Sequence, residues 1–501
     1  VRKKVMGLAL ALALLCLVYS SPVGAAAAGC PTPLALPGDK VMRISRDFVE
    51  FEHHGQLPIA AEVQCFHHWE DQVWEVPLAA VLVGFEDVVA TVFNGEIIRF
   101  DVYDPLYIRT VRVAITTDNF AAVEHKELRL EPTSRLYVEE TGTGRGFVAV
   151  AGQEVVVSVQ AGRLVLIDGE GNPWEFDRRL YLWADEGGMV QINSFQRGTT
   201  NRFFPRYRGR FELTVVDEDS FLAINEVDLE EYLYQVVPSE MVISWPMEAL
   251  KAQAVASRTY AVAQVIYSRQ GHLGFHVSDS TNSQVYNNQP EAASATRAIQ
   301  ETAEQILAKE DDTIGSTYFY STSPRRVMDS KQAWNDLSEL YLEGKSPWYR
   351  WQCYFSAEEL AELFRSNTDI PPGEVLAVEV GERDELGRVV VLTVKTSGGT
   401  GTIVGELNIR RALKPKRLQR INDTVTGLSL LPSAMFFVES KRDGAGKLLG
   451  VTLFGGGSGH GLGMAQWGAK GMAEAGSDYL TILRTYYPEM QLFTHSDQLR
   501  Y

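Results

Sequence analysis

A chain of 501 residues is too long for one small core, and its length alone suggests roughly two to four domains. Apolar residues make up 45% and charged residues 22%, an ordinary globular balance with enough apolar material for a real interior. The formal net charge of -17 excludes nucleic acid as the main partner, since phosphate backbones are bound through Lys and Arg. It leaves open a neutral polysaccharide, which is gripped by hydrogen bonds and aromatic faces.

The chain opens on a targeting pattern. Arg2, Lys3 and Lys4 precede an apolar run from Gly7 to Tyr19, and small residues follow at Val23 to Ala28. Residues 1–29 therefore read as a signal peptide or membrane anchor, and the protein as exported to the cell envelope. The run is short of the roughly 17–25 residues that a membrane span needs. Ala27-Ala28-Gly29-Cys30 departs from a lipoprotein cleavage box, because no Leu stands three residues before the Cys. Of the cysteines, Cys16 lies in this segment, while Cys30, Cys65 and Cys353 are scattered and form no CxxC. A Cys30–Cys65 disulfide and two separate thiols both remain open.

Residues 30–106 read as an N-terminal β domain of unknown role, with Asn94-Gly95 as a hairpin turn. His53-His54 and His67-His68 are each adjacent on a strand, so their side chains point to opposite faces and chelate poorly. Short strands punctuated by Gly, Asp and Asn continue through 107–224. At Asp228 the character changes. Asp228 and Glu231 form a capping-box pattern for a helix through LEEYLYQVV, which Pro238 is expected to break. Pro246 opens a second helix, PMEALKAQAVASRTYAVAQVIYS, apolar over most of its circumference and therefore central and buried. Gln253, Ser257 and Gln264 form a polar stripe on it, with Arg258 alongside. A helix over about 290–305, a hairpin-like stretch QILAKEDDTIGSTYFYS, a helix at 357–366 and strands over 373–405 follow. The strand KLLGVTLF then runs into a Gly-rich turn, and a helix near SDYLTILRTYY closes the chain. The fold class is α+β: β-rich N-terminal units, then a mixed α/β catalytic domain over 225–495 around a central buried helix.

Two places carry chemistry. In Val237-Pro238-Ser239-Glu240-Met241, a carboxyl group sits among apolar neighbours at a rigid helix junction. Burial there raises a carboxyl pKa, as a general acid requires. The plain alternatives are that Glu240 caps the next helix or pairs with Arg258. In Gly459-His460-Gly461-Leu462-Gly463-Met464-Ala465-Gln466, the third glycine of a dinucleotide loop is replaced by Gln466. It reads either as a turn of close backbone approach displaying His460 and Gln466 or as a packing turn with a satisfied histidine. The segment Ser278 to Tyr286 is dense in hydroxyl and amide groups, which suit sugars and turns alike. No GxSxG elbow exists, and Cys353 has no recognisable catalytic partner.

The ordered set NEVDLEEYLYQVVPSEMVISWPMEALKAQAVASRTYAVAQ, DSTNSQVY and HGLGMAQWGAKGMAEAG resembles the stage II sporulation protein D/LytB-type family over roughly residues 107–490. The resemblance implies a lytic transglycosylase of sporulation and engulfment. It would cut peptidoglycan glycan strands, preferably peptide-free, between N-acetylmuramic acid and N-acetylglucosamine to leave 1,6-anhydro ends. The family's catalytic glutamate maps onto Glu240, with Gln253, Ser257, Arg258, Tyr260, Thr281, Tyr320, Ser321, His460 and Gln466 as glycan-holding residues. A cell-wall amidase and a membrane-anchored complex are the implied partners, and no cofactor is implied. Some members hold a structural zinc. Here Asn282 and Ser283 stand where a Cys is often found, and STSPRRV replaces a Gly-Gly pair or Cys, so no metal is expected despite His276. The alternative reading is a non-catalytic amidase enhancer that binds glycan. A carbohydrate-binding scaffold without a partner enzyme is a third.

Overall fold

The computed structural model describes residues 32–105, 107–199, 201–311, 313–336 and 345–495. The targeting segment, with Cys16 and Cys30, lies outside them. Strands outweigh helices, and the architecture is α+β. Among the described residues no helix is long and apolar enough to cross a membrane.

The first unit is a seven-stranded mixed sheet. Its Val88–Phe93 and Glu96–Val102 hairpin turns through Asn94 and Gly95, whose φ values of 51° and 86° are those of the primed turn that an Asn-Gly pair favours. His67 and His68 diverge as expected, whereas His53 and His54 stand in a turn between two strands and both rings reach Asp39, at 2.8 and 3.9 Å. His67 Nε2 is 2.7 Å from the Asp104 carbonyl, while His68 Nε2 is 2.6 Å from the Asp101 carboxylate. Cys65 is a buried free thiol, pushed up to about 12 by desolvation.

Next come a six-stranded and an eight-stranded antiparallel sheet, the latter with one parallel strand, Val277–Ser278, at its edge. Alternation dictates their packing. Leu128, Val157 and Leu166 on one sheet and Leu136, Leu182 and Phe211 on the other are all buried in one apolar core. The opposite face of the eight-stranded sheet carries charge. Arg112 pairs with Glu212 and Glu226, Lys40 from the first unit reaches Glu226 at 2.9 Å, and Arg179 joins Glu212 to Glu50. This buried network fastens the N-terminal unit to the sheet. His276 is wired into it, with Nδ1 accepting from Arg112 N–H and Nε2 donating to the Val83 carbonyl, and burial pushes its pKa down to about 4.

The strand Phe221–Asp228 of this sheet runs directly into helix α1, Leu229–Glu240. Asp228 caps α1 by accepting from Glu230 and Glu231 N–H, at 2.8 and 3.3 Å. The capping box is only half closed, because Glu231 turns to Arg208. Asp228→Ala is expected to lower stability by about 1 kcal/mol, read as a shift in urea midpoint. Contrary to expectation, Pro238 does not break the helix. It sits in the last turn, where only one intrahelical bond is lost, and α1 runs on to Glu240. Helix α2, Met247–Ile266, is buried on nearly every side, and α3, Ala293–Glu301, packs on it.

The stretch after α3 turns back on itself at its tip, where Ala308 bridges Ile314 and Lys309 N–H donates to the Thr313 carbonyl, but its strands pair with remote segments. Gln305–Ala308 pairs with Gln491–Thr494, and Phe319–Tyr320 pairs in parallel with Met464–Ala465. Those pairings bring both ends of the intervening chain together, and that chain builds its own interior. A five-stranded sheet centred on Trp351–Ser356 and a three-stranded sheet over Val375–Val404 enclose Trp351, Phe355, Leu392, Ile409 and Leu453 in a second apolar core. Cys353 lies inside it, a buried thiol held protonated by desolvation and therefore no nucleophile.

Candidate active site

Glu240 ends α1, and the loop after Ser278–Ser280 closes over that end. Ser239 Oγ donates to Gln235 O at 2.6 Å and accepts from Asn288 and Gln289 N–H at 2.9 and 3.1 Å. Asn287 N–H donates to the Gln235 carbonyl, and Val285 N–H donates to Glu240 Oε1 at 2.6 Å. The exposed amides of the loop and the unpaired carbonyls of the helix end thus satisfy one another. Glu240 neither caps the following helix nor pairs with Arg258.

Part of Glu240 still faces solvent, but protein atoms surround its carboxyl group. Desolvation pushes its pKa up to about 7, against the opposing hydrogen bond from Val285. The negative end of the α1 dipole acts in the same direction as desolvation. No Lys, Arg or second carboxylate contacts it among the described residues. Asp279, in the same loop, is fully buried and already saturated by Arg197 at 2.7 Å and by Thr116. Burial raises it to about 6, and both of its oxygens are already bonded within the protein.

The polar stripe of α2 becomes a relay behind Glu240. Gln466 Nε2 donates to the Glu240 carbonyl at 3.0 Å and to Gln253 Oε1 at 3.4 Å, and Gln253 donates to Ser257 Oγ at 3.0 Å. Ser257 O in turn accepts from Gln284, which receives the Tyr232 hydroxyl proton. These groups fix the backbone at Glu240 rather than present themselves to solvent. Tyr260 packs edge-on to Tyr318, whose ring meets His460 in the same way, and His460 also meets Tyr320, with centroids 5.7–6.0 Å apart. Desolvation, then the charges of Tyr318 and Glu240, push Tyr260 up to about 12.

His460 accepts from Leu462 N–H at Nδ1, so Nε2 holds the proton and donates to Phe319 O at 3.0 Å. Burial lowers its pKa, leaving a neutral ring committed to the backbone. The glycines allow this approach. A Cβ on Gly463, at φ +71°, would fall 1.9 Å from the Tyr318 carbonyl. Ser321 is half-buried, its carbonyl taken by Trp467 N–H, and Thr281 is exposed on the loop.

Arg258 is placed elsewhere. Its guanidinium is buried against Glu230, at 2.6 and 2.7 Å, and against the carbonyls of Gln305 and Ile299. It joins α1, α3 and the Gln305–Ala308 strand and has no face toward Glu240's loop. Sequence reasoning passed over Val285, Ser239 and Tyr318. Val285 acts through its backbone N–H, which carries no side-chain signature, and Ser239 through a hydroxyl that any turn could use. Tyr318 stands in an alternating STYFYS run that reads as any strand.

Around the possible zinc positions, Ser283 Oγ accepts from Ser278 N–H and Ser280 Oγ bonds Ser278 Oγ, so hydroxyls close the loop. Among the described residues the metal-capable donor group is Asp39, Glu52 and His53, in the N-terminal unit, where Asp39 already accepts from His53 and His54.

Comparison with known proteins matches residues 217–308 to the model of the Stage II sporulation protein family, and residues 322–463 to a domain of unknown function. The chain is 30% identical over 276 residues to an uncharacterized protein of Brachyspira hyodysenteriae, covering 54% of this chain and 67% of that one. It is 29% identical over 282 residues to stage II sporulation protein D of Bacillus amyloliquefaciens, covering 53% and 74%. It is 26% identical over 295 residues to the amidase enhancer of Bacillus subtilis, covering 52% of this chain and only 40% of that protein. The chain belongs to the stage II sporulation protein D family.

Proposed function

We propose that this protein is an exported cell-envelope enzyme, a lytic transglycosylase acting on peptidoglycan glycan strands in sporulation, with Glu240 as its acid and base. The observation that carries this is a solitary carboxyl group at a neutral pKa, held by one backbone N–H. Hydrolysis by water normally needs two carboxylates, one on each side of the sugar. A single group suffices when the nucleophile is the substrate's own C6 hydroxyl. The Glu240 acid gives its proton to the leaving glycosidic oxygen as the C1–O bond breaks. Its carboxylate then takes the C6 hydroxyl proton as that oxygen bonds C1, leaving a 1,6-anhydro end.

Mass spectrometry of products from purified peptide-free strands is expected to give anhydro-ended fragments. Reducing ends would instead mean a hydrolase. A second reading, a glycan-binding enhancer of a wall amidase within a membrane-anchored engulfment complex, is favoured by the likeness to the amidase enhancer. It also draws on the altered segment after Tyr320. Thr322 there is bridged to Ser458, and Arg350 Nη1 donates to the Pro324 carbonyl, tying the groove wall to the second core. Glycan binding without any fragments would decide for that reading.

A further inference from the structure

The outer face of the eight-stranded sheet is only partly covered by the N-terminal unit, and where that cover ends a cleft of about 540 Å³ opens. Register sets its lining. Tyr137 lies opposite Trp183, Trp183 opposite Arg210, and Arg210 opposite Glu226, so all share one face, with Glu139 opposite Tyr181 beside them. Trp183 lines the cleft and is stacked on Tyr137 behind it, with centroids 5.6 Å apart and planes 14° apart. Arg210 lies over the Tyr181 ring and pairs with Glu226 at 2.7 Å, so its charge is offset. Glu139 and Asp228 also line the cleft, are exposed, and have no ion-pair partner among the described residues.

We infer that this cleft is a second saccharide site, which takes a neutral acetamido-sugar unit and is separate from Glu240. Its volume falls in the range of ligand pockets. The Trp183 ring, backed by Tyr137 and flanked by Glu139, Glu226 and Asp228, offers an apolar surface and acceptors for sugar hydroxyls. The acidic lining disfavours phosphates, nucleotides and carboxylate-bearing sugars. Asp228 caps α1 and Glu240 ends it 12 residues later, so the helix sets the cleft about 18 Å from the catalytic carboxyl. One glycan chain of alternating units then has a hold remote from the bond being cut. Only the choice of sugar rests on the glycan reading above.

The test is calorimetric titration of the full chain carrying Glu240→Gln with the tetramer of N-acetylglucosamine. In that background Trp183→Ala is expected to weaken binding by at least about tenfold. Glu139→Gln, an exposed change that leaves folding intact, is expected to weaken it less. Undiminished binding by both variants, or no binding by the Glu240→Gln parent, overturns the site. Trp183-dependent capture of a lysine-rich peptide in place of the tetramer overturns the saccharide assignment. Cleavage products are read separately, so anhydro fragments alongside Trp183-independent binding would sink this inference alone.

Discussion

Glu240→Gln is expected to lower glycan cleavage by roughly 10²–10⁴-fold while leaving glycan binding intact. Glutamine keeps the side-chain oxygen that accepts from Val285, and Gln466 still holds the backbone carbonyl, so geometry survives and only the proton is lost. The pH dependence has a definite sign. The folded pKa, about 7, stands above the ordinary 4.5, so the folded state holds its proton more tightly than the unfolded chain. Burying the carboxylate therefore costs nothing below about pH 4.5, costs progressively more between there and 7, and costs about 3 kcal/mol above. Glutamine removes that cost. The variant is expected to match the wild type in melting temperature at pH 4 and to exceed it at pH 8. Wild-type cleavage, which needs the acid form, is expected to fall as pH rises through 7. A glutamine variant that cuts at the wild-type rate would end the assignment of Glu240.

The residues that announced themselves were those whose neighbours in sequence are also their neighbours in space. The burial of the Glu240 carboxyl could be read from its apolar neighbours in sequence, Val236, Val237 and Met241, all buried, and that of α2 from apolar positions that cover most of the circumference. What stayed hidden depends on remote pairing. Strands such as Gln305–Ala308 and Trp351–Ser356 look alike along the chain. Yet the first closes the unit around α2 through Gln491–Thr494, and the other is the centre of a separate core. Parallel pairing of Phe319–Tyr320 with Met464–Ala465 spans that whole second unit, and no local pattern encodes it. Pro238 misled because proline's penalty belongs to helix interiors, whereas the final turn has little left to lose.

The polar positions of α2 illustrate the same limit, and Arg258 makes it measurable. Arg258→Ala is expected to lower stability by about 3–5 kcal/mol, because it strands the Glu230 carboxylate and takes a charged donor from the Gln305 and Ile299 carbonyls, of which Ile299 keeps only Thr302. That is a large share of the roughly 5–15 kcal/mol that holds a domain together. A glycan-holding arginine would behave otherwise, raising KM while the urea midpoint stayed put. Here the midpoint is expected to fall, and the molecules that remain folded are expected to bind glycan as before. A double-mutant cycle separates the two further. Glu230→Leu with Arg258→Met removes both charges at similar volume, and the pair is expected to recover much of the stability lost by either change alone. Recovery of stability together with cleavage would make Arg258 a strut behind the site. Recovery of stability without cleavage would return it to the glycan groove.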